Sequence, residues 1–360
     1  MKAPLCFLAL IFYFSLFAQP LPLDPAIRTG KLPNGFTYYI RKNTEPAKRV
    51  QLYLVNKVGS VLEKEDQRGL AHFMEHMSFN GTTHFPKNDL VHYLQKSGVR
   101  FGADLNAYTS FDETVYQLPI PTDDPALLKN GLQIMRDWAG NATLDPKEIN
   151  DERGVVLEEK RLGKGAEERM MTKIYPVLLD QSRYADRLPI GTDTVLKHFQ
   201  KPAILSFYKD WYRPDLQALI VVGDINVDSM ELRIKKLFGD LKNPVNEKPR
   251  TKYTIPLTGK NQFIAVTDKE FPYTVLQVFI KRPEVIAKTK EEYRQLVNRE
   301  LFNQMLGARI TELSQKPNPP FIQAYAAMSG FLGGLDAFNV GIVAKPGQLK
   351  NSFIDVWQLV

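Results

Sequence analysis

Apolar and polar positions alternate from Gly30 to about Val61, the period of half-buried strands. Residues 36–40 and 50–55 are the clearest runs, and Asn34-Gly35 ahead of them has the chemistry of a tight turn. Glu63 to Gln67 interrupts the pattern as a polar loop. From 67 to 79 the period becomes helical, with Asp66 placed to cap its start and Asn80-Gly81 to supply a left-handed stop. Residues 88–97 predict a second helix with Leu90, Tyr93 and Leu94 on one face. Residues 101–108 and 114–118 then predict paired strands around Ser110-Phe111-Asp112. Helices are expected over 124–139, with Leu128, Leu132, Met135 and Trp138 in one stripe, and from 146 to about 161. Further helices are expected over 200–211 and 229–238, flanking a buried strand at 218–222 that ends on Gly223-Asp224.

Residues 242–252 are rich in Pro, Lys and Asn and carry no apolar period, which marks a linker. Beyond it, 263–266 and 275–280 predict strands and 291–306 a long helix. Trp357-Gln358-Leu359-Val360 reads as the start of another amphipathic helix, so the region after the linker is expected to be incomplete. The expected division is 1–19 as a signal peptide, 20–241 as one domain, 242–252 as the linker and 253–360 as a second domain.

Composition narrows the class. Hydrophobic residues are 44% of the 360 and charged residues 24%, enough apolar material that no metal is needed to hold a core. A metal site here is therefore a working one. The formal charge of +7 is spread among 40 acidic residues, without the clustered cations and interleaved aromatics that nucleic acid asks for. Met1-Lys2, an apolar run to Phe17, and Ala18-Gln19-Pro20 have the order of a secretory signal, too short to span a membrane comfortably. Export to a bacterial periplasm or cell envelope is expected, and no transmembrane segment in the mature chain. The single cysteine, Cys6, lies inside that signal, which removes thiol catalysis, cysteine zinc ligation and disulfides.

The chemistry centres on His72-Phe73-Met74-Glu75-His76. On a helix, His72 and His76 are one turn apart on one face and can reach one metal. Glu75 lies near the same face, placed to take a proton from metal-bound water. This is the inverted order of the His-Glu-x-x-His motif. A catalytic zinc keeps three protein ligands and one open position. The third ligand must come from elsewhere. His84, His92 and His198 each stand isolated. Glu152 and Glu159 are seven apart, two helical turns, with Val155 and Val156 giving that helix an apolar side. Such a face could equally be a regular, solvated acidic one.

Taken together, these segments resemble the pitrilysin (insulinase-like) zinc metallopeptidases, most of all the exported bacterial subgroup with much longer chains. The resemblance is strong from about Arg28 to Asp224 and weaker beyond. It rests on Gly69-Leu70-Ala71 leading into His72 to His76, on Phe79-Asn80-Gly81-Thr82, Asn106-Ala107-Tyr108-Thr109, the run Glu152 to Glu159, Tyr212-Arg213-Pro214-Asp215 and Val221-Val222-Gly223-Asp224. It implies an α+β fold: a mainly antiparallel sheet packed with helices in the metallopeptidase domain, and an incomplete second α+β domain of similar build. It implies one Zn2+ per chain held by His72, His76 and Glu159, with Glu75 as general base and Glu152 assisting. The interval from His76 to Glu159 (159 − 76 = 83) is several residues longer than in the best-known members, which keeps Glu158 as a fallback ligand. It also implies an extended peptide or unfolded protein as substrate, paired with the strand that holds Asn106 and Ala107.

Alternatives differ in class. Family members enclose substrate between two halves, so a zinc-binding half of low activity, needing a homodimer, a partner chain or a second half, is the competing expectation. A zinc lyase acting on a thioether nucleoside shares an inverted histidine motif but needs a cysteine that the mature chain lacks. A basic nucleic-acid binder leaves the paired histidines unused.

Overall fold

The strand at residues 217–223 is alternately buried and half-buried, and it lies inside the sheet because both its neighbours pair with it throughout. The protein's structure is a computed structural model describing residues 19–87, 89–90, 93 and 106–360. Six strands form one sheet: β1 (Ile27–Lys31), β2 (Thr37–Lys42), β3 (Arg49–Asn56), β4 (Asn106–Thr109), β5 (Thr114–Pro121) and β6 (Gln217–Gly223). Their order is β1-β2-β6-β3-β5-β4. Only β2–β6 is parallel, so the sheet is mainly antiparallel, as the α+β class implies. The alternation read from sequence decides which side chains enter the core: Leu52, Leu54, Leu118, Leu219 and Val221 are all buried.

Contacts divide the described residues into two units, one within 24–272 with 332–334 and one of 19–23, 273–331 and 335–360. In the second unit, β7 (Thr274–Pro283), β8 (Phe321–Gly330) and β9 (Leu335–Ala344) make an antiparallel sheet with β9 central. Helices Lys290–Ser314 and Leu349–Trp357 bring Leu306, Ile310 and Val356 into a core with Phe321, Phe338, Val340 and Ile342. The longer helix starts on a reciprocal cap between Thr289 and Glu292. Backbone bonds from Leu21 to Lys288 and from Lys290 to Gln19 tie residues 19–21 to this unit.

Several expectations change. The signal peptide, except Gln19, most of the helix expected over 88–97, and residues 101–105 lie outside the described residues. Residues 263–266 form no strand, and Phe263 is almost fully exposed, so that apolar run has no sheet to join. Trp357 closes a helix rather than opening one. Residues 242–252 carry neither helix nor strand. Strands β8 and β9 and the helices at 166–178, 183–186 and 193–198 were not expected.

The helix with the two histidines, α1 (Leu70–Met77), begins three residues later than its period suggests. Gly69 has φ of 104°, which ends any helix coming from Asp66 and makes Gly69 the N-cap instead. A Cβ on Gly69 would stand 2.9 Å from the Cα of Gly191, which crosses directly behind it. The helix stops at Met77 rather than Phe79, and the next two residues continue as tight turns before Gly81 reverses the chain at φ of 129°. Gly69→Ala combines a left-handed L-residue with that close approach, so it should cost at least ~1–2 kcal/mol, read from chemical denaturation of the two proteins.

Candidate metal centre

Helix α1 is short, and its surroundings hold it. Its buried side takes Leu70, Phe73, Met74 and Met77 into the core. At its C-terminal end Trp138 Nε1 donates to the carbonyl of Ser78 at 2.8 Å, and the Ser78 hydroxyl meets Tyr116 Oη at 2.9 Å. Trp138 stacks on Tyr116, with Phe79 against its edge. Trp138 comes from α2 (Pro125–Gly140), which packs on β3 and β5. The remaining face of α1 presents His72 and His76.

The acidic residues come from α3 (Pro146–Leu162). Pro146 at its first position and the Asp145 carboxylate, accepting from Lys147 N–H at 2.8 Å, set where it starts. Ile149 and Val156 are its buried residues, seven apart like Glu152 and Glu159. Val155, expected on the apolar side, is mostly exposed. Arg153 fastens the helix from the side, donating to the carbonyls of Leu196 and Phe199 and lying 4.3 Å over the Phe199 ring.

The two helices bring three side chains together. Among the described residues, His72, His76 and Glu159 form one group whose ligand atoms all lie within 4.8 Å of one another. The Nε2 atoms of His72 and His76 are 3.2 Å apart. Glu159 oxygens stand 3.7 Å from His72 Nε2 and 3.4 Å from His76 Nε2. Tetrahedral zinc with bonds near 2.1 Å spaces its ligand atoms by about 3.4 Å. Two imidazoles and a carboxylate at these separations fit such an ion. The half-exposed Glu159 side chain leaves the group open on one side.

Hydrogen bonds around the group set its chemistry. Glu152 Oε1 lies 2.7 Å from His76 Nδ1, so Nδ1 is the nitrogen the carboxylate engages and Nε2 the one turned to the group. Asn80 Nδ2 donates to the other oxygen of Glu152. Thr109 on β4 donates to Glu75 Oε2 at 2.5 Å. Glu158 pairs with Arg161 at 2.7 Å and is not in the group. His84 is bound to Asp137, and His198 Nδ1 lies 2.9 Å from the carbonyl of Thr194; His92 lies outside the described residues. Asn106 and Ala107 lie on β4, at the end of the sheet order, paired with β5 alone among the described strands.

Charge states follow from burial and neighbours. Burial, then the adjacent His76, push the His72 ring down to about 4 against the pull of Glu152. Burial would lower His76 too, but the Glu152 hydrogen bond and the charges of Glu152, Glu75 and Glu159 outweigh it and raise it. Burial raises Glu75, with Thr109 and His76 opposing and Glu159 adding to the rise. For Glu152 burial is the largest influence and acts upward, yet the hydrogen bonds from His76 and Asn80 bring it below the usual range.

Sequence reasoning passed over Glu63, Thr109 and Asn80 as working groups. Glu63 lies in a stretch that reads as a polar loop, but its side chain is fully buried against the start of α1. The need for it shows only once the structure makes Gly69 the N-cap, a residue with no side chain to satisfy the first helical N–H groups.

The fold and the segments that carry this group have counterparts among known proteins. The family described as insulinase (peptidase family M16) matches residues 38–173, and the peptidase M16 inactive domain matches 198–358. The chain is 35% identical over 319 residues to the probable zinc protease PqqL of Escherichia coli, covering 85% of this chain and 34% of that protein. It is 33% identical over 294 residues to the probable zinc protease PqqL of Haemophilus influenzae, covering 81% and 32%. Its structure matches the crystal structure of the first half of the periplasmic protease PqqL from E. coli with a TM-score of 0.82 and 30% identity, over 91% of this chain and 70% of that one. The chain belongs to the peptidase M16 (insulinase) family. It spans about a third of the length of the curated relatives it matches.

In the metal-free protein His72 should stay neutral down to about pH 4 while His76 holds its proton above the usual histidine range. Imidazole proton shifts followed by NMR across pH 3–9 would separate the two. A common midpoint near the ordinary histidine value would contradict the geometry described.

Proposed function

We propose that this chain is the metal-bearing part of an exported zinc endopeptidase acting on extended peptides or unfolded polypeptides. The observation that carries the reading is the convergence of His72 Nε2, His76 Nε2 and a Glu159 carboxylate oxygen beside the buried Glu75. His72, His76 and Glu159 would hold one Zn2+. Bound there, zinc would supply a Lewis acid that makes water more acidic and polarises a peptide carbonyl. Glu75 takes the proton of the attacking water and returns it to the departing amine. Its raised affinity for protons suits both halves of that exchange, and Thr109 fixes which oxygen faces the reaction. Glu152 acts through His76, engaging Nδ1 and orienting the ring so that Nε2 is the nitrogen turned toward His72 and Glu159.

Substrate binding by strand addition is supported by the edge position of β4. Backbone pairing there would bind an extended chain with little regard to its sequence, Asn106 and Ala107 lying at the contact. A periplasmic or envelope location is supported by the signal-like start at Met1-Lys2 and by the relative described as a periplasmic protease. No helix among the described residues is long and apolar enough to cross a membrane.

A second reading keeps the zinc site but makes turnover depend on a second peptidase-like half or on a homodimer. It is suggested by the similar structure described as the first half of a periplasmic protease. One assay addresses both: zinc content and cleavage of an unstructured peptide, measured on the purified monomer. Glu75→Gln should keep zinc and lose about 10²- to 10⁴-fold in kcat, and Glu159→Gln should lose zinc. An active Glu75→Gln protein would remove the mechanism, a zinc-free wild type the site. Full turnover by the monomer would remove the second reading. Methylating peptide nitrogens of the substrate near the cleaved bond should raise KM; an unchanged KM would argue against strand addition.

A further inference from the structure

Glu63 touches none of the three candidate metal ligands, yet it grips the helix that carries two of them. Its Oε2 accepts the Gly69 N–H at 3.0 Å and its Oε1 accepts the Ala71 N–H at 2.8 Å. These are the N-cap and the second residue of α1, so the carboxylate spans the open end of the helix. Gly69 has no side chain for the task, and its left-handed backbone beside Gly191 admits no replacement that would have one. Both Glu63 oxygens act as acceptors, facing the positive end of the helix.

The loop that delivers Glu63 is itself fixed. The Glu63 carbonyl accepts from Arg187 Nε at 3.1 Å and from Arg183. The Ser60 hydroxyl donates to the Arg187 carbonyl at 2.5 Å, and Glu63 N–H donates to the Ser60 carbonyl at 3.1 Å. None of these hydrogen bonds involves His72, His76 or Glu159. The effect of the cluster falls on one place: His72 is the third residue of an eight-residue helix, in the turn that frays first. His76, by contrast, is held independently by Glu152.

We infer that Glu63 is a positioning residue for the metal centre, clamping the first turn of α1 so that His72 is already aimed at the point where His76 and Glu159 meet. This rests on the zinc reading above. The clamp makes the His72 half of the site pre-formed before metal arrives.

Glu63→Gln keeps the volume but sets an amide donor against one of the two N–H donors. Zinc affinity should fall about 10- to 100-fold. The absorption spectrum of the Co2+-substituted protein should change, and kcat should fall with KM nearly constant. A merely structural role would lower the melting temperature and leave affinity and spectrum alone. Wild-type affinity with an unchanged Co2+ spectrum in Glu63→Gln would therefore overturn the inference. If that variant does not fold, amide exchange in the wild type decides. Gly69 and Ala71 N–H should already be protected without metal. Fast exchange there, slowed only by zinc, would show that the ion and not Glu63 orders the turn. A wild type that takes up no zinc would remove the proposed function, while the exchange measurement would still test the clamp.

Discussion

A hydrogen bond of 2.7 Å between His76 and Glu152 joins two helices whose residues lie 76 apart in the chain. The arrangement around it depends on that contact. It engages Nδ1 of His76, turns its Nε2 toward His72, and fixes α3 at the rotation that brings Glu159 to both histidines two turns further on. Asn80, just past the end of α1, takes the other oxygen of Glu152, so one carboxylate registers both the ring and the turn that follows it. Without this contact α3 would present only a regular acidic face, which is the other way to read Glu152 and Glu159.

The frame behind α1 works by closing both of its ends. Trp138 and Tyr116 engage Ser78 at one end, and Glu63 takes the N–H groups at the other. An eight-residue helix has little stability of its own, so tertiary contacts must hold it. Those contacts come from α2, from β5 and from the loop before the helix. That explains why the sheet order matters to the site: β5 supplies Tyr116 and pairs with β4, and β4 supplies Thr109 to Glu75. The side chain at Glu75 and the proposed substrate edge are thus two products of one strand.

What was legible in the chain followed from period. Strands β2, β3, β5 and β6 alternate because one or both faces are buried, and α2 shows its stripe because it lies on the sheet. The spacing of His72 to His76 and of Glu152 to Glu159 is helical geometry written directly into numbering. What failed had no period to follow. Residues 263–266 are apolar, but a strand is defined by a neighbour, and none pairs with them. The start of α1 was misplaced because Asp66 has capping chemistry, while the deciding constraint is the approach of Gly69 to Gly191, over a hundred positions later. Glu63 was missed for the same reason: a carboxylate in a charged stretch looks solvated until a helix end is placed over it.

These misses share a physical form. Local chemistry predicts which groups can cap, turn or pair, and tertiary structure decides which of them do. The candidate metal ligands are readable because their spacing is local. The groups that aim them, Glu63, Asn80 and Thr109, act across loops and are not. A hydrolytic site needs both kinds, since a ligand displaced by an ångström holds its ion less well and misaims the water beside it. The burial of Glu63 makes the point in energetic terms. Burial pushes its carboxyl up to about 8 despite two N–H donors and the nearby Arg187 and Arg68. Carboxyl oxygens buried there without partners would be costly, and the N–H groups at the start of α1 are the partners they have. The cost of burying it is thereby tied to forming the one helix on which both histidines stand.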